Sequence, residues 1–582
     1  MTEGTYGRPG DGRGKDPGDG AQGPPDGGTD LTWRIRVLDP RTAVRRGDAP
    51  PPAPTTYVAD RVLLAGGEGA KAELAAELGR AAAERGWMVT VEPGVDQDAA
   101  LLRRADLRPE LLAGVVPAFS AVRLAPADAA GPPPDAWELV EAVGGRAAAT
   151  GATVALDHVL VASIGPSIGG SPYTQPHPYT QPHPYTQPHP YTQPHPYTQP
   201  HPSAALAEYG SAGRGGRSPV TWVGPRPARR HASGKSAFVT ADGMARPVVA
   251  VLDTGTGEHP WFDGDVVVRD PEVLGVPVGP YPRPAVALHD PEVGGMAVDP
   301  LTGGLDPAAG HGTFIAGLVH QRCPDAVVLS CRLYGGEGIV SEWDLLRALR
   351  RLLLFHVLGL HGRAGHHPVD VVNLSLGYYH ERPGDAVFDG PFGACLAALR
   401  RHGVAVVVSA GNDADPRPSY PAAFAPRLDP ATAPPTPLDP ASLTWAEPCV
   451  VSVGALNPDG TTALFSNDGA WVTCRRPGAA VVSTLPVTLA GSLTASRRLR
   501  GRVPDERRAT IDPDGFAGGF GVWSGTSFAS PVLAGDLAAA VLAAREAGST
   551  VAAGTTWDDA LAARCVHTWE AITATTGLAP HP

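Results

Sequence analysis

Apolar positions along the chain fall into two zones with different patterns. From residue 31 to about residue 163, short apolar runs alternate with helical patterns. Residues 57–64, 87–91, 121–124 and 153–162 read as strands, and 71–85 and 136–149 as Ala-rich helices. The order β-α-β-β-α-β predicts a small α+β domain of the split-βαβ, ferredoxin-like type. Beyond residue 216 the apolar runs become continuous, at 248–252, 327–329, 369–374, 404–408 and 450–453, with helical stretches such as 341–357 and 391–401 between them. A strand apolar at every position is buried on both faces, so this zone predicts an α/β fold with a mostly parallel sheet and helices on both sides.

Between the zones, PYTQPH occurs five times without a mismatch from Pro172 to His201. Proline at this density favours a polyproline II path, about 90 Å long at about 3.1 Å per residue. Six residues make two turns of that helix, so Tyr173, Tyr179, Tyr185, Tyr191 and Tyr197 line one face and the histidines another, neighbours being about 19 Å apart. Adjacent histidines cannot then share a metal, and the array reads as a spacer, with a metal or partner role as the alternative. The organisation predicted is a disordered tail over 1–30, an α+β domain over 31–163, a Pro-rich linker over 164–216 and the larger α/β domain over 217–575.

With 582 residues the chain has room for several domains, and its 71 glycines and 63 prolines indicate unstructured segments beside a core that is 43% apolar overall. A formal charge of −12 disfavours nucleic acid and anionic membrane as partners. The first thirty residues hold no apolar run of the kind a secretory signal uses, and the run 537–544 is far shorter than a membrane span. The expectation is a cytoplasmic protein, with leaderless export as an alternative. Six cysteines without a CxxC pair predict reduced core thiols, and Cys323 and Cys331, at the two ends of a strand, lie too far apart to bridge.

Candidate chemistry sits in short segments of the second zone. Val248 to Leu252 runs straight into Asp253, placing a carboxylate at the C-terminal edge of a buried strand, where α/β folds build sites. His311-Gly312-Thr313 precedes a short apolar helix, and Gly525-Thr526-Ser527-Phe528-Ala529-Ser530-Pro531 opens another. Ser527 is thereby put at a helix N-terminus, where N–H groups and the dipole favour negative charge.

Together with Ser409-Ala410-Gly411-Asn412-Asp413, these segments resemble the subtilisin-like serine peptidase family, over roughly residues 247–544. The resemblance implies a subtilisin-like fold and an Asp253, His311, Ser527 triad, with Asp253 orienting the imidazole, His311 as base and acid, and Ser527 as nucleophile. It implies Asn412 as oxyanion donor beside the Ser527 N–H, and Leu374, Ser375, Leu376, Gly377, Ala410 and Gly411 as substrate-binding residues. Arg332 to Gly335 and Tyr420 to Ala422 match further family segments. No cofactor is required; calcium is possible by resemblance, at a site the sequence does not locate, and no other metal is expected.

Phe314 stands where the family commonly has a second histidine, and Val532-Leu533-Ala534-Gly535 replaces its usual HVAG. The 58 residues from Asp253 to His311, and the stretches 425–448 and 486–520, read as added surface loops. The carried-over pocket is apolar, favouring a medium apolar residue before the cut bond, with Asp413 at the rim able to attract arginine. The partner implied is a peptide or protein substrate, and the activity that of a processing endopeptidase. Alternatives are a peptide ligase or macrocyclase working through the same acyl-enzyme, and a peptide-binding pseudo-protease. An aspartic protease reading of Asp253-Thr254-Gly255 fails for want of a second such motif. Residues 31–163 have the element order of family propeptides. They read either as an intramolecular inhibitor removed by cleavage between Ile164 and Arg230, or as a permanent recruitment domain.

Overall fold

The computed structural model describes residues 34–580 apart from 48, 109–118, 164–215, 222–223, 383–389, 430, 433–435, 492–494, 496, 504–506 and 549–555. The 1–30 tail and the PYTQPH array, with its tyrosine and histidine faces, lie outside the described residues.

The first zone contains β1 (Ile35–Leu38), β2 (Thr55–Ala65), α1 (Glu68–Ala83), β3 (Trp87–Val91), α2 (Gly94–Arg104), β4 (Phe119–Pro126), α3 (Ala136–Thr150) and β5 (Thr153–Ala162). The expected βαββαβ order is there, with β1 and α2 added. β1 is four residues paired with the start of β2, and α2 sets Leu101 into the core shared with the second zone, with Val95 and Leu102 packed against it and Asp98 buried beside them. The sheet is antiparallel, β5-β2-β4-β3. Alternation along β2 sends Val62 and Leu64 into a core with Leu74 and Leu78 of α1 and Leu139 and Val143 of α3. Leu63 points the other way, into a cluster shared with the second zone.

That second zone is built on β6 (Val248–Asp253), β7 (Val267–Arg269), α4 (His311–Arg322), β8 (Val327–Arg332), β9 (Ile339–Ser341), α5 (Glu342–Leu360), β10 (Val371–Leu374), β11 (Leu376–Tyr379), α6 (Gly390–Arg401), β12 (Ala405–Ser409), β13 (Ser419–Tyr420), β14 (Val450–Leu456), β15 (Cys474–Pro477), α7 (Thr526–Glu546) and α8 (Trp557–Thr576). Its seven-stranded sheet has the order β15-β14-β12-β10-β6-β8-β7, every pairing parallel. Ala250, Leu252, Val372 and Val406 face α5 and α6, whereas Val249, Val251, Val371 and Val407 face α4, α7 and α8. Burial on both faces is why these strands read as unbroken apolar runs.

The two zones meet through β5. One edge of β5 pairs with β2; beyond a bulge its last residues pair antiparallel with both β9 and β11, so one eight-stranded sheet runs from the first zone into the second. The six cysteines are free, Cys323 and Cys331 among them. Among the described residues α7 alone is long and apolar enough to cross a membrane, and 67% of its most apolar window is buried inside the protein. The run 537–544 is the unbroken apolar part of this helix.

Candidate active site

β6 delivers Asp253 to the C-terminal edge of the parallel sheet, and α4 starts at His311 directly above it. His311 Nδ1 lies 2.8 Å from Asp253 Oδ1, with both residues fully buried. A carboxylate accepts, so Nδ1 carries the proton and Nε2 the lone pair. The Tyr334 hydroxyl donates to Asp253 Oδ2 at 2.6 Å and the Thr254 N–H to Oδ1 at 2.8 Å, so the carboxylate is held on both oxygens. Burial, with the Asp253 charge beside it, pushes the Tyr334 phenol well above its usual value, which keeps it a donor. The imidazole packs edge-on to Trp523 and against Phe528, and Phe314 fills the same aromatic cluster, 4.6 Å from Phe528. The position where the family commonly has a second histidine is thus part of the packing behind the site.

Ser527 lies in the first turn of α7, two residues past the N-cap Gly525. Its Oγ donates to the Ser375 carbonyl at 3.1 Å, and His311 Nε2 has no hydrogen-bond partner among the described residues. The structure therefore joins Asp253 to His311 and ends α7 beside them, with the Ser527 hydroxyl turned toward Ser375. Asn412 follows β12; its Oδ1 accepts from Thr526 N–H and Oγ1, both at 2.8 Å, fixing the turn that carries Ser527. Its Nδ2 donates to the backbone carbonyl of Ser163 at 2.6 Å.

That last contact comes from the end of β5. Val161 and Leu160 sit opposite Ile339 and Val340 on one side, while Ala162 and Val161 sit opposite Leu376 and Gly377 on the other. Ala162 N–H donates to the Gly338 carbonyl at 2.8 Å and Ser163 N–H to the Ser375 carbonyl at 3.1 Å. The groove between β9 and β11 is thus filled by an extended segment ending with its carbonyl at Asn412 and the Gly525 turn. A Cβ at Gly525 would stand 2.8 Å from the Ser163 oxygen, so only glycine allows this approach.

Of the residues implied for substrate binding, Ser375, Leu376 and Gly377 contact this segment. Leu374 lies inside the core, and Ala410 and Gly411 link Ser409 to Asn412. The Ser163 hydroxyl lies 3.1 Å from Ser409 Oγ. The Asp413 carboxylate accepts from Tyr379 OH at 2.7 Å, which commits it to the loop.

Sequence reasoning also missed Glu292, an acid without neighbouring pattern in the stretch before His311. Its Oε1 accepts from Thr254 Oγ1 at 2.5 Å and Gly312 N–H at 3.1 Å, and Thr313 Oγ1 donates to its other oxygen. It ties the residue after Asp253 to the first turn of the helix that bears His311. Gly312 itself meets the Gly255 carbonyl so closely that a Cβ would lie 2.0 Å from it. Burial raises the Glu292 carboxyl to about 7, against the opposing pull of the bonds from Thr254 and Thr313.

A carboxylate–imidazole pair ending in a free Nε2 lone pair, a serine at a helix N-terminus and an amide aimed at a peptide carbonyl is an arrangement for acyl chemistry. A sequence profile described as the Subtilase family matches residues 245–577, more than half of the chain and every residue of this arrangement except Ser163. The chain belongs to the subtilase family. Over 113 residues it is 34% identical to an extracellular basic protease of Dichelobacter nodosus, which covers 19% of this chain and 15% of that relative's length. Similar solved structures include a cold adapted subtilisin-like serine proteinase (19% identity, 55% of this chain and 82% of that one, TM-score 0.31). Another is fervidolysin from Fervidobacterium pennivorans, described as a keratinolytic enzyme related to subtilisin (14%, 84% and 55%, TM-score 0.40). The fold of this subtilase is the expected parallel sheet flanked by helices, with the smaller antiparallel sheet before it. For calcium, the described residues offer one close trio of His, Cys, Asp or Glu donors, His158, His380 and Glu381. Two imidazoles do not suit an ion that takes six to eight oxygens, so no calcium site is assigned in this subtilase.

Proposed function

We propose that this chain is a serine endopeptidase whose first substrate is its own N-terminal segment, cut between Ser163 and Ile164. The observation that carries this reading is the Ser163 carbonyl, hydrogen-bonded at 2.6 Å to Asn412 at the end of a strand paired on both edges in the groove. Ser527 Oγ attacks the carbonyl carbon of residue 163, and His311 Nε2 takes its proton. The oxyanion is held by Asn412 Nδ2 and the Ser527 N–H. The C–N bond then breaks, His311 delivers the proton to the amine of residue 164, and an acyl-enzyme remains. Water, deprotonated by His311, attacks the ester and restores Ser527, leaving a carboxylate on residue 163. Asp253 and Tyr334 keep the imidazole in one tautomer and orientation throughout.

Residues 31–163 then act as an inhibitor lying in the cleft after the cut, and other peptides or proteins are substrates once it leaves. The bond lies one residue before the 164–230 range that the sequence suggests, because Ser163, directly after β5, is still held in the groove by its N–H bond to the Ser375 carbonyl. The test is mass spectrometry of purified full-length protein beside its Ser527→Ala variant. Fragments ending at Ser163 and starting at Ile164 are expected from the wild type alone, with fluorophosphonate labelling of Ser527 once residues 31–163 are dissociated. Cleavage persisting in Ser527→Ala, or a different terminus in the wild type, overturns the proposal.

A further inference from the structure

Counting back from Ser163 as the first residue before the cut, the sixth is His158. It is 1% exposed, and both ring nitrogens meet carboxylates, Nδ1 at 2.7 Å from Glu342 Oε2 and Nε2 at 2.7 Å from Glu381 Oε2. Carboxylates accept, so both nitrogens are donors and the ring is a cation. Burial alone would favour neutral imidazole; the Glu381 charge and the two hydrogen bonds outweigh it and hold the pKa near about 10. Tyr378 stacks on the ring at 4.4 Å, and His380 lies 5.0 Å away. Because both His158 nitrogens are committed, the trio of His158, His380 and Glu381 holds an imidazolium and not a metal ion.

The two halves of this contact have different owners. His158 arrives with β5 and departs with it. Glu342 opens α5 and Glu381 follows β11, so both stay with the groove, and Glu381 Oε1 has no hydrogen-bond partner among the described residues. An apolar residue entering after β5 would leave two carboxylates dehydrated against it, and an acidic one would add repulsion. A guanidinium could bridge both carboxylates through its forked N–H groups and lie on the Tyr378 ring.

We propose that Glu342 and Glu381 form an acidic subsite that selects substrates with a cationic side chain, histidine or arginine, six residues before the scissile bond. This rests on reading the β9–β11 groove as the substrate site. The test uses self-cleaved protein from which the 31–163 segment has been dissociated, and fluorogenic dodecapeptides matching residues 156–167, with His, Arg, Leu or Glu at the position of His158. The expected result is kcat/KM about tenfold or more higher for His and Arg than for Leu, lower again for Glu, and a flat series in the Glu342→Gln/Glu381→Gln double variant. Equal rates for His and Leu, or a preference that survives the double variant, overturn the proposal.

A second readout needs no turnover. In full-length Ser527→Ala, amide hydrogen exchange at Ala162 and Ser163 is expected to speed up on His158→Leu and to stay slow on His158→Arg. Protection is expected to return when His158→Leu is combined with the two glutamine substitutions. Arginine as disruptive as leucine refutes the subsite. If exchange behaves as expected while no peptide is cut, the hydrolytic reading fails and the subsite stands.

Discussion

Replacing Glu292 by glutamine tests the acid beneath the candidate triad through its pH dependence. Its carboxyl is fully buried and raised by that burial from 4.5 to about 7, so the folded protein binds this proton more tightly than the unfolded chain does. For a raised acid the stabilisation is complete below the unfolded pKa of 4.5 and is lost as pH climbs to the folded value near about 7. It is constant above that. The gap multiplied by about 1.36 kcal/mol per pKa unit gives a loss of about 3 kcal/mol across the window.

Glutamine has the shape of the neutral acid and keeps an oxygen for Thr254 Oγ1 and the Gly312 N–H. Glu292→Gln should therefore match the parent near pH 4.5 and exceed it by about 3 kcal/mol at pH 8. Urea unfolding of full-length protein in the Ser527→Ala background, so that the chain stays intact, at half-unit pH intervals measures this. Other carboxyls titrate in the same range, Asp157 among them, raised by burial to about 7; subtracting the two curves cancels these and leaves Glu292. Two parallel curves, or a variant weaker than its parent at pH 8, would refute the reasoning, because Glu292 would then be ionised in the folded state.

Two further substitutions probe the groove. Asn412→Ala removes the donor to the Ser163 carbonyl and should lower kcat by about 10² or more on a short peptide while changing KM far less, read from steady-state kinetics. Asp98→Ala removes the buried carboxylate of α2 that pairs with Arg347 at 3.2 Å and Arg351 at 3.0 Å on α5. The uncompensated cations should cost about 3 kcal/mol of contact between the zones, so that after self-cleavage the 31–163 segment separates from the rest on gel filtration instead of co-eluting.

What the sequence made legible follows from where each signal is stored. The strands of the parallel sheet are apolar on both faces and carry their own evidence; β3 and β5 begin and end where the pattern puts them. Asp253, His311, Asn412 and Ser527 each sit in a short segment whose small residues are visible in the sequence, although the close approaches that require them, of Gly312 to Gly255 and of Gly525 to Ser163, are made by the fold. The rest depends on partners distant in sequence. Asp157 and His158 read as polar interruptions of a strand, but His158 is held by residues 184 and 223 positions away. α2 escaped notice because its short apolar face of Val95, Leu101 and Leu102 is interrupted by Asp98, buried at 1% exposure against arginines of α5. Glu292 lies in a stretch with no period at all, and its meaning exists only once Thr254 and Thr313 converge on it.

The contacts that hold β5 divide into two kinds, and the division sets how inhibition would end. Inside the groove, the backbone bonds of Ala162 and Ser163 are ones any extended peptide can make, so they do not distinguish inhibitor from substrate. Outside it, Trp343 N–H at the start of α5 donates to Asp157, Arg61 reaches Ser341 at 3.2 Å, Phe119 packs edge-on to Trp343, and Arg350 lies 3.7 Å over the Phe119 ring. Arg61 and Phe119 belong to the folded first zone, so their contacts are unavailable to a short product, whereas Asp157 lies on β5 itself. Cutting after Ser163 leaves every one of them in place, so cleavage alone does not empty the groove. A cut peptide lacking the outer contacts is released, whereas the intact α+β segment stays until it unfolds or is itself degraded. On the proposed reading, the helices and sheet of residues 31–163 convert an ordinary product strand into a lasting occupant, and the stability of that small domain, more than the chemistry at Ser527, sets when the cleft opens.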